Sequence, residues 1–74
     1  MKQFILQGEY ITLGQLLKNE GIINSGGEAK LFLASNSVLV NGVVTTERGK
    51  KLRDNDVVII KTINFGLKVI STDV

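Results

Sequence analysis

The spacing of apolar residues changes once along the chain, and that change limits the folds available to it. Between residues 13 and 33 apolar side chains recur every three or four positions, as at Leu13, Leu16 and Leu17, which is the spacing of a helix with one buried face. After Asn36 the pattern becomes two β-branched runs around Asn41-Gly42, a pair typical of a tight hairpin. Helices followed by hairpin-linked strands predict an α+β fold.

The first helix is predicted at Leu13 to Glu20. Thr12 and Gln15 have the spacing of a capping box, in which two side chains satisfy backbone N–H groups reciprocally. Gly21 follows the helix directly and suits the left-handed residue that commonly ends one. A short strand, Gln3 to Leu6, is expected before this helix.

The second helix is predicted to begin at Ser25-Gly26-Gly27-Glu28, which has the same capping-box spacing and an acid in its first turn. Its buried stripe would be Ala29, Phe32 and Leu33, and Asn36 would end it in the left-handed conformation. Two glycines at a helix start reduce helix propensity. They indicate either tight packing or a backbone that something approaches closely.

The rest of the chain predicts strands: a hairpin at Val38 to Val44, then Val57 to Lys61 and Leu67 to Ile70. No repeat or linker is visible, so we expect one domain of residues 1–74, with two short helices on a small, mainly antiparallel β-sheet. No apolar run approaches the roughly 20 residues of a membrane helix, and the N-terminus lacks the pattern of a secretory signal. A cytoplasmic monomer is expected.

Missing residue types limit the chemistry. The chain has no Cys and no His, which removes thiolate nucleophiles, the commonest general base and the commonest metal ligand. Asp54 and Asp56 could suggest a divalent cation, but they lie beside Arg53 and are better explained as turn residues. We therefore expect no enzymatic activity, no metal site and no cofactor.

Positive charge is concentrated in one segment. Arg48, Lys50, Lys51 and Arg53, hereafter the basic loop, place four positive charges within six residues that include no acid. The other five basic residues are outnumbered by seven acidic ones, so the net charge of +2 comes from this loop. Such a cluster can neutralise the phosphates of a nucleic acid, or it can be a solvated loop that maintains solubility. The residues alone leave both alternatives open.

The start of the predicted second helix is another candidate site. Free backbone N–H groups at Ser25-Gly26-Gly27 could bind a phosphate, whereas the negative charge of Glu28 favours simple capping and packing. Lys30 lies one step off the buried stripe and is either a ligand contact or an ordinary exposed lysine. Among the scattered aromatic residues, Tyr10 is the best single candidate to stack on a base.

Several short motifs occur in a recognisable order and spacing. They are Leu13-x-x-Leu16-Leu17 with Gly21, Ser25-x-x-Glu28-Ala29-Lys30, Asn36 where Gly is usual, Val38-x-Val40-Asn41-Gly42, Arg48-Gly49-Lys50-Lys51-Leu52 and Asp56-Val57-Val58. Over about residues 11–61 this series resembles the S4-type RNA-binding domain, also called the αL RNA-binding motif. It looks most like the small stand-alone bacterial members of the YaaA/YbcJ type.

The resemblance implies a non-catalytic, ribosome-associated module that binds structured RNA, with ribosomal RNA and ribosomal proteins as the expected partners. By position, it implies RNA contacts from Ser25, Gly26, Gly27 and Lys30 at the second helix, and from the basic loop.

Two departures from the family pattern suggest an alternative. Larger members usually have Arg-Leu-Asp at the start of the first helix, where this chain has Thr12-Leu13-Gly14. They also usually have Arg after the serine that precedes the second helix, where this chain has Gly26. Two expected RNA contacts are therefore missing. The alternative is an adaptor that docks on a ribosomal or replication protein, for which the strand at Leu67 to Ile70 would offer an exposed sheet edge.

Overall fold

Residues 1–72 are described by a computed structural model and have the predicted α+β fold. The helices are α1 (Leu13–Asn19) and α2 (Glu28–Ser35). The strands are β1 (Lys2–Leu6), β2 (Ile11–Thr12), β3 (Val38–Val40), β4 (Val43–Val44), β5 (Lys51–Leu52), β6 (Val57–Ile60) and β7 (Phe65–Ser71). A 3-10 turn at Lys61–Ile63 joins the last two strands. No helix in this range is long and apolar enough to cross a membrane.

Five strands form one sheet in the order β1-β7-β6-β3-β4, and β2 pairs with β5 in a separate ribbon. The pairings of β3 with β4, of β3 with β6 and of β6 with β7 are antiparallel, whereas β1 runs parallel to β7. The sheet is thus mainly antiparallel, as expected. The prediction of a free edge at Leu67 to Ile70 is wrong, because β1 covers that side of β7; the edges are β1 and β4.

Both helices contribute to a core on one face of the sheet. The buried apolar residues are Leu6, Leu13, Leu16, Leu17, Ile23, Ala29, Leu33, Val38, Val40, Leu52, Val58, Ile60, Leu67 and Val69. Phe32, expected in the buried stripe of α2, packs against this core but is only partly buried. Since side chains alternate along a strand, Leu39, Ile59 and Ile70 lie on the opposite face, where they are partly exposed.

The start of α1 has the predicted capping box. The Thr12 hydroxyl accepts a bond from the Gln15 backbone N–H (3.2 Å), and Gln15 Oε1 accepts one from the Thr12 N–H (3.0 Å). Gly21 has a φ of +75°, so the left-handed residue after the helix is confirmed. The helix ends at Asn19 with Glu20 as its C-cap, one residue earlier than predicted.

The start of α2 differs from the prediction. The N-cap is Gly27, whose φ of −67° and ψ of −25° are helical, and no side chain caps this end. An N-cap hydroxyl reaches the helix N–H groups from an extended backbone, whereas Ser25 here belongs to a turn closed by its own carbonyl, which accepts a bond from the Glu28 N–H (3.1 Å). The capping box predicted at Ser25 is therefore wrong.

The left-handed stop predicted at Asn36 is also wrong. Asn36 is extended, with a φ of −132°, and both its backbone N–H (2.9 Å) and its side-chain amide (3.1 Å) donate to the Phe32 carbonyl in the last turn of the helix. Left-handed residues occur instead at Asn41 (φ 52°) and Gly42 (φ +83°), as the hairpin prediction requires, and at Asn64 (φ 52°).

Candidate nucleic-acid interface

The basic loop is held by the two-stranded ribbon. β5 pairs antiparallel with β2, so that Lys51 lies opposite Thr12 and Leu52 opposite Ile11. Leu52 is fully buried, whereas Lys51 and Arg53 on either side of it are exposed. The buried leucine therefore anchors the segment in the core, and the charged side chains before and after it remain in solvent.

The backbone of the basic loop is also bound to the start of α1. The Leu13 N–H donates to the Lys50 carbonyl and the Gly14 N–H donates to the Arg48 carbonyl, each at 2.8 Å. N–H groups in the first turn of a helix have no partner within the helix. The loop supplies those partners, and its backbone carbonyls are thereby oriented toward α1 while the side chains of Arg48 and Lys50 stay exposed.

Gly14 makes this close approach possible. A Cβ atom at this position would lie 3.3 Å from both the Cβ and the carbonyl oxygen of Arg48, and 3.6 Å from the Cβ of Ala29. A glycine within a helix costs about 1 kcal/mol relative to alanine. Here that cost is offset because any larger residue would press against the loop backbone.

Tyr10 joins an aromatic ring to the basic loop. The Lys51 ammonium nitrogen is 4.9 Å from the ring centroid, and the central carbon of the Arg53 guanidinium is 5.7 Å from it. Both distances are within the roughly 6 Å over which a cation is attracted to the face of a ring. Tyr10 is 42% exposed, so it forms one solvent-facing surface with two cations of the loop.

Arg48 connects the loop to the turn before α2. Its Nη1 donates to the Gly26 carbonyl at 3.5 Å, and the whole Ser25-Gly26-Gly27 turn is exposed. The structure thus brings this turn and the basic loop together. Lys30 is exposed on α2, and within residues 1–72 no hydrogen bond or ion pair joins its side chain to the loop.

Part of the hydrogen-bonding capacity at the glycine turn is already used within the chain. The Glu28 N–H donates to the Ser25 carbonyl and the Ala29 N–H donates to the Gly26 carbonyl at 3.2 Å, so both groups are already used. The Glu28 carboxylate lies in the same turn and accepts a bond from the Asn24 N–H at 3.4 Å. Of the two candidate sites, the basic loop is the better suited to a polyanion.

No acid among residues 1–72 forms an ion pair with the basic loop. Over residues 1–72 the only ion pair joins Lys2 Nζ to Glu20 Oε1 at 2.7 Å, and neither residue belongs to the loop. All four loop side chains are exposed. The loop therefore presents uncompensated positive charge to solvent, which is the electrostatic requirement for binding phosphates.

The two acids that follow the loop bind backbone groups. Asp56 Oδ2 accepts a bond from the Arg53 N–H and Asp54 Oδ1 accepts one from the Ser71 N–H, both at 2.7 Å. Asp56 Oδ1 also accepts from the side-chain amide of Asn41 at 2.9 Å. Asp56 thus serves the turn, as predicted, whereas Asp54 connects the turn to β7. In the described part of the chain no three acidic side chains come together in a way that could hold a metal ion.

Two features of this surface were missed from the sequence. Gly14 could have been noticed as a poor residue for the first turn of a helix, but its contact with Arg48 joins segments far apart in the chain. In the sequence Tyr10 is an isolated aromatic residue, and its neighbours Lys51 and Arg53 reach it through the pairing of β2 with β5.

Comparison with known proteins agrees with this geometry. The S4 domain family matches residues 4–68. A Bacillus subtilis (strain 168) protein named "Probable ribosome maturation protein RlbA" is 53% identical over 53 residues, which cover 72% of this chain and 75% of that protein. The family match over residues 4–68 includes both helices, the ribbon and the basic loop. The chain therefore belongs to the S4 domain family.

Proposed function

We propose that this protein is a non-catalytic module that binds structured RNA, with ribosomal RNA or its precursors as the target class. One observation carries the proposal: four exposed cations, none of them ion-paired within residues 1–72, lie on a loop whose backbone is bonded to the start of α1. The Bacillus subtilis relative, named as a probable ribosome maturation protein, supports the ribosomal target. In this proposal the protein acts as a cytoplasmic monomer, and ribosomal proteins are secondary contacts.

The loop suits a duplex backbone better than base edges. Its four exposed side chains project from a backbone that is bonded to the start of α1 and paired with β2. The deep, narrow major groove of A-form RNA excludes side chains, which leaves phosphates and the shallow minor groove as the accessible surface. This arrangement supports recognition of RNA shape by the basic loop, assisted by the Ser25-Gly26-Gly27 turn and Lys30.

The test is RNA binding by a variant in which all four loop residues become glutamine (Arg48→Gln, Lys50→Gln, Lys51→Gln, Arg53→Gln). These side chains are exposed, so the fold should persist, which circular dichroism and thermal melting check. We expect the affinity for a structured RNA to fall at least tenfold at physiological salt, because phosphate neutralisation is lost.

A charge-preserving variant is the matched control. Arg48→Lys with Arg53→Lys retains four positive charges and should bind within a few-fold of the wild type. If the folded glutamine variant bound as tightly as the wild type, the basic loop would not be the RNA interface.

A second candidate, a protein-interaction adaptor, is favoured by one other region. The edge strand β4 exposes Val43 (67%) and Val44 (58%), and exposed apolar residues on a sheet edge suit the addition of a partner strand. Complexes recovered from cells would then survive nuclease treatment and be lost in the variant Val43→Lys. Complexes that disappear with nuclease support the RNA proposal.

A further inference from the structure

A solvent-open groove lies beside Tyr10, outside the basic loop. It has a volume of about 760 Å³, which is within the range of small-ligand sites. Its walls are residues 4–7, at the end of the edge strand β1 and just beyond it, the residues Tyr10 and Ile11, and the exposed side chains Gln15, Lys18 and Asn19 of α1. Tyr10 therefore belongs both to the groove and to the surface of the basic loop.

From this arrangement we infer that the groove binds an unpaired nucleotide of the RNA, with its base stacked on Tyr10 and its phosphate near Lys51 and Arg53. The inference rests on the proposed function and deepens it, because it specifies RNA that carries a bulged or looped-out base beside a duplex. A duplex backbone alone would need only the basic loop.

The ring of Tyr10 is suited to stacking because it is both accessible and held in place. It is 42% exposed, and the cations of Lys51 and Arg53, at 4.9 and 5.7 Å, cover part of the ring, so the base in this proposal stacks on the ring surface that they leave open to the groove. The backbone next to it, at Ile11 and Thr12, is fixed by pairing with β5. Stacking on an aromatic side chain tolerates any base, because every base has a π-face.

The polar groups of the groove match the edge of a base. Gln15 Oε1 is already used by the Thr12 N–H, which leaves the amide nitrogen of Gln15 as a donor. The Gln7 and Asn19 amides are exposed and offer both donors and acceptors. Exposed apolar surface is present as well, since Ile5 of the edge strand is 51% exposed in the same groove. An aromatic ring for stacking, together with amides for hydrogen bonds, is the chemistry by which proteins bind unpaired bases.

The experiment compares two RNAs that differ in one nucleotide: a fully paired duplex and the same duplex with one bulged adenosine. We expect the wild type to bind the bulged RNA about tenfold more tightly, as the stacking of one base allows. Tyr10→Leu should abolish this preference, so that the variant binds the bulged and the paired RNA with equal affinity. Tyr10→Phe should preserve the preference within twofold, since the ring remains.

A spectroscopic readout reports on the ring itself. The chain has one tyrosine, so labelling with 3-fluorotyrosine gives a single fluorine resonance. That resonance should shift on addition of the bulged RNA and shift much less with the paired duplex. Equal shifts with the two RNAs would contradict stacking at Tyr10.

An electrostatic control separates this inference from the proposed function. Arg48→Gln with Lys50→Gln leaves Tyr10 and its two cations in place, so it should weaken binding of both RNAs equally and keep the preference. If a folded Tyr10→Leu protein keeps the preference for bulged RNA, or if the wild type shows no such preference, the proposed nucleotide site is refuted. The proposal that the protein binds RNA is not affected by either result. If the wild type binds neither RNA, both proposals fall.

Discussion

The starts of the two helices have the same sequence signature and different structures. Thr12 with Gln15 forms a complete capping box, whereas Ser25 with Glu28 forms none. Thr12 is extended, with a ψ of 155°, because it is also a strand residue paired with Lys51 of the basic loop. Ser25 has no such partner strand, and the residue that precedes α2 is a helical glycine. A tertiary contact therefore decides which of two equal local patterns becomes a cap.

The contact between the start of α1 and the basic loop also gives the two helix starts different roles. At α1 the first N–H groups bind the carbonyls of Arg48 and Lys50, so this end holds the basic loop. At α2 the exposed glycine turn meets the loop through the Arg48 guanidinium, a longer bond of 3.5 Å. The start of α1 thus positions the basic loop, and the start of α2 lies beside it as exposed surface. Substitutions at the two ends should separate these roles.

The largest effect is expected at Gly14. Replacing it by valine places a branched side chain where a Cβ atom alone would be 3.3 Å from the Arg48 backbone. We expect a loss of about 2 kcal/mol in the free energy of unfolding, as overpacking typically costs, together with weaker RNA binding. Urea denaturation measures the first and RNA titration the second. The matched control is Gly26→Val, where a Cβ meets nothing within 4 Å; equal destabilisation by both variants would contradict the positioning role of Gly14.

A smaller effect is expected from the caps. Thr12→Val keeps the β-branched shape of the side chain in β2 and removes only the hydroxyl that accepts the Gln15 N–H. It should lower the free energy of unfolding by about 1 kcal/mol, the usual value of an N-cap. Ser25→Ala should change it by less than about 0.5 kcal/mol, as for surface substitutions, because no side chain caps α2. Thermal melting of both variants tests this difference, which would be reversed if Ser25 were the functional cap.

The smallest effect, and one of opposite sign, is expected at Gly27. Its φ and ψ are helical, and an added Cβ would be in ordinary contact with Ser25 Oγ at 3.9 Å. Gly27→Ala should therefore stabilise the protein by about 0.5 kcal/mol, through lower entropy of the unfolded chain. If RNA backbone approaches this turn closely, the more stable variant should nevertheless bind RNA less tightly. Unchanged affinity would show that the glycine turn serves packing alone.

Local patterns predicted the parts of the fold that depend on neighbours in sequence. The leucine spacing of α1, its capping box, the left-handed Gly21 and the Asn41-Gly42 hairpin turn are each determined within a few residues. The pairing of β1 beside β7, by contrast, joins the two ends of the chain, and no local pattern contains it. The partly exposed Phe32 and the extended Asn36 likewise depend on what packs against α2.

The features of the candidate site likewise divide into those visible in the sequence and those that depend on tertiary contacts. The four charges of the basic loop are visible in the sequence, because a run of like charge needs no structural knowledge to detect. Their attachment to α1 through Gly14, and their contact with Tyr10, depend on the β2–β5 ribbon. The sequence could therefore locate the charges but could not show that a fixed backbone and an aromatic ring accompany them.

The most direct test of the basic loop as an RNA interface is the salt dependence of binding. Two double variants remove the same charge: Lys50→Gln with Lys51→Gln inside the loop, and Lys61→Gln with Lys68→Gln outside it. With four phosphate contacts, the wild type should show a log–log slope of affinity against salt of about −3 to −4. We expect the loop variant to reduce the magnitude of this slope by about 2 and the outside variant to leave it unchanged. Equal slopes for the two variants would contradict the account.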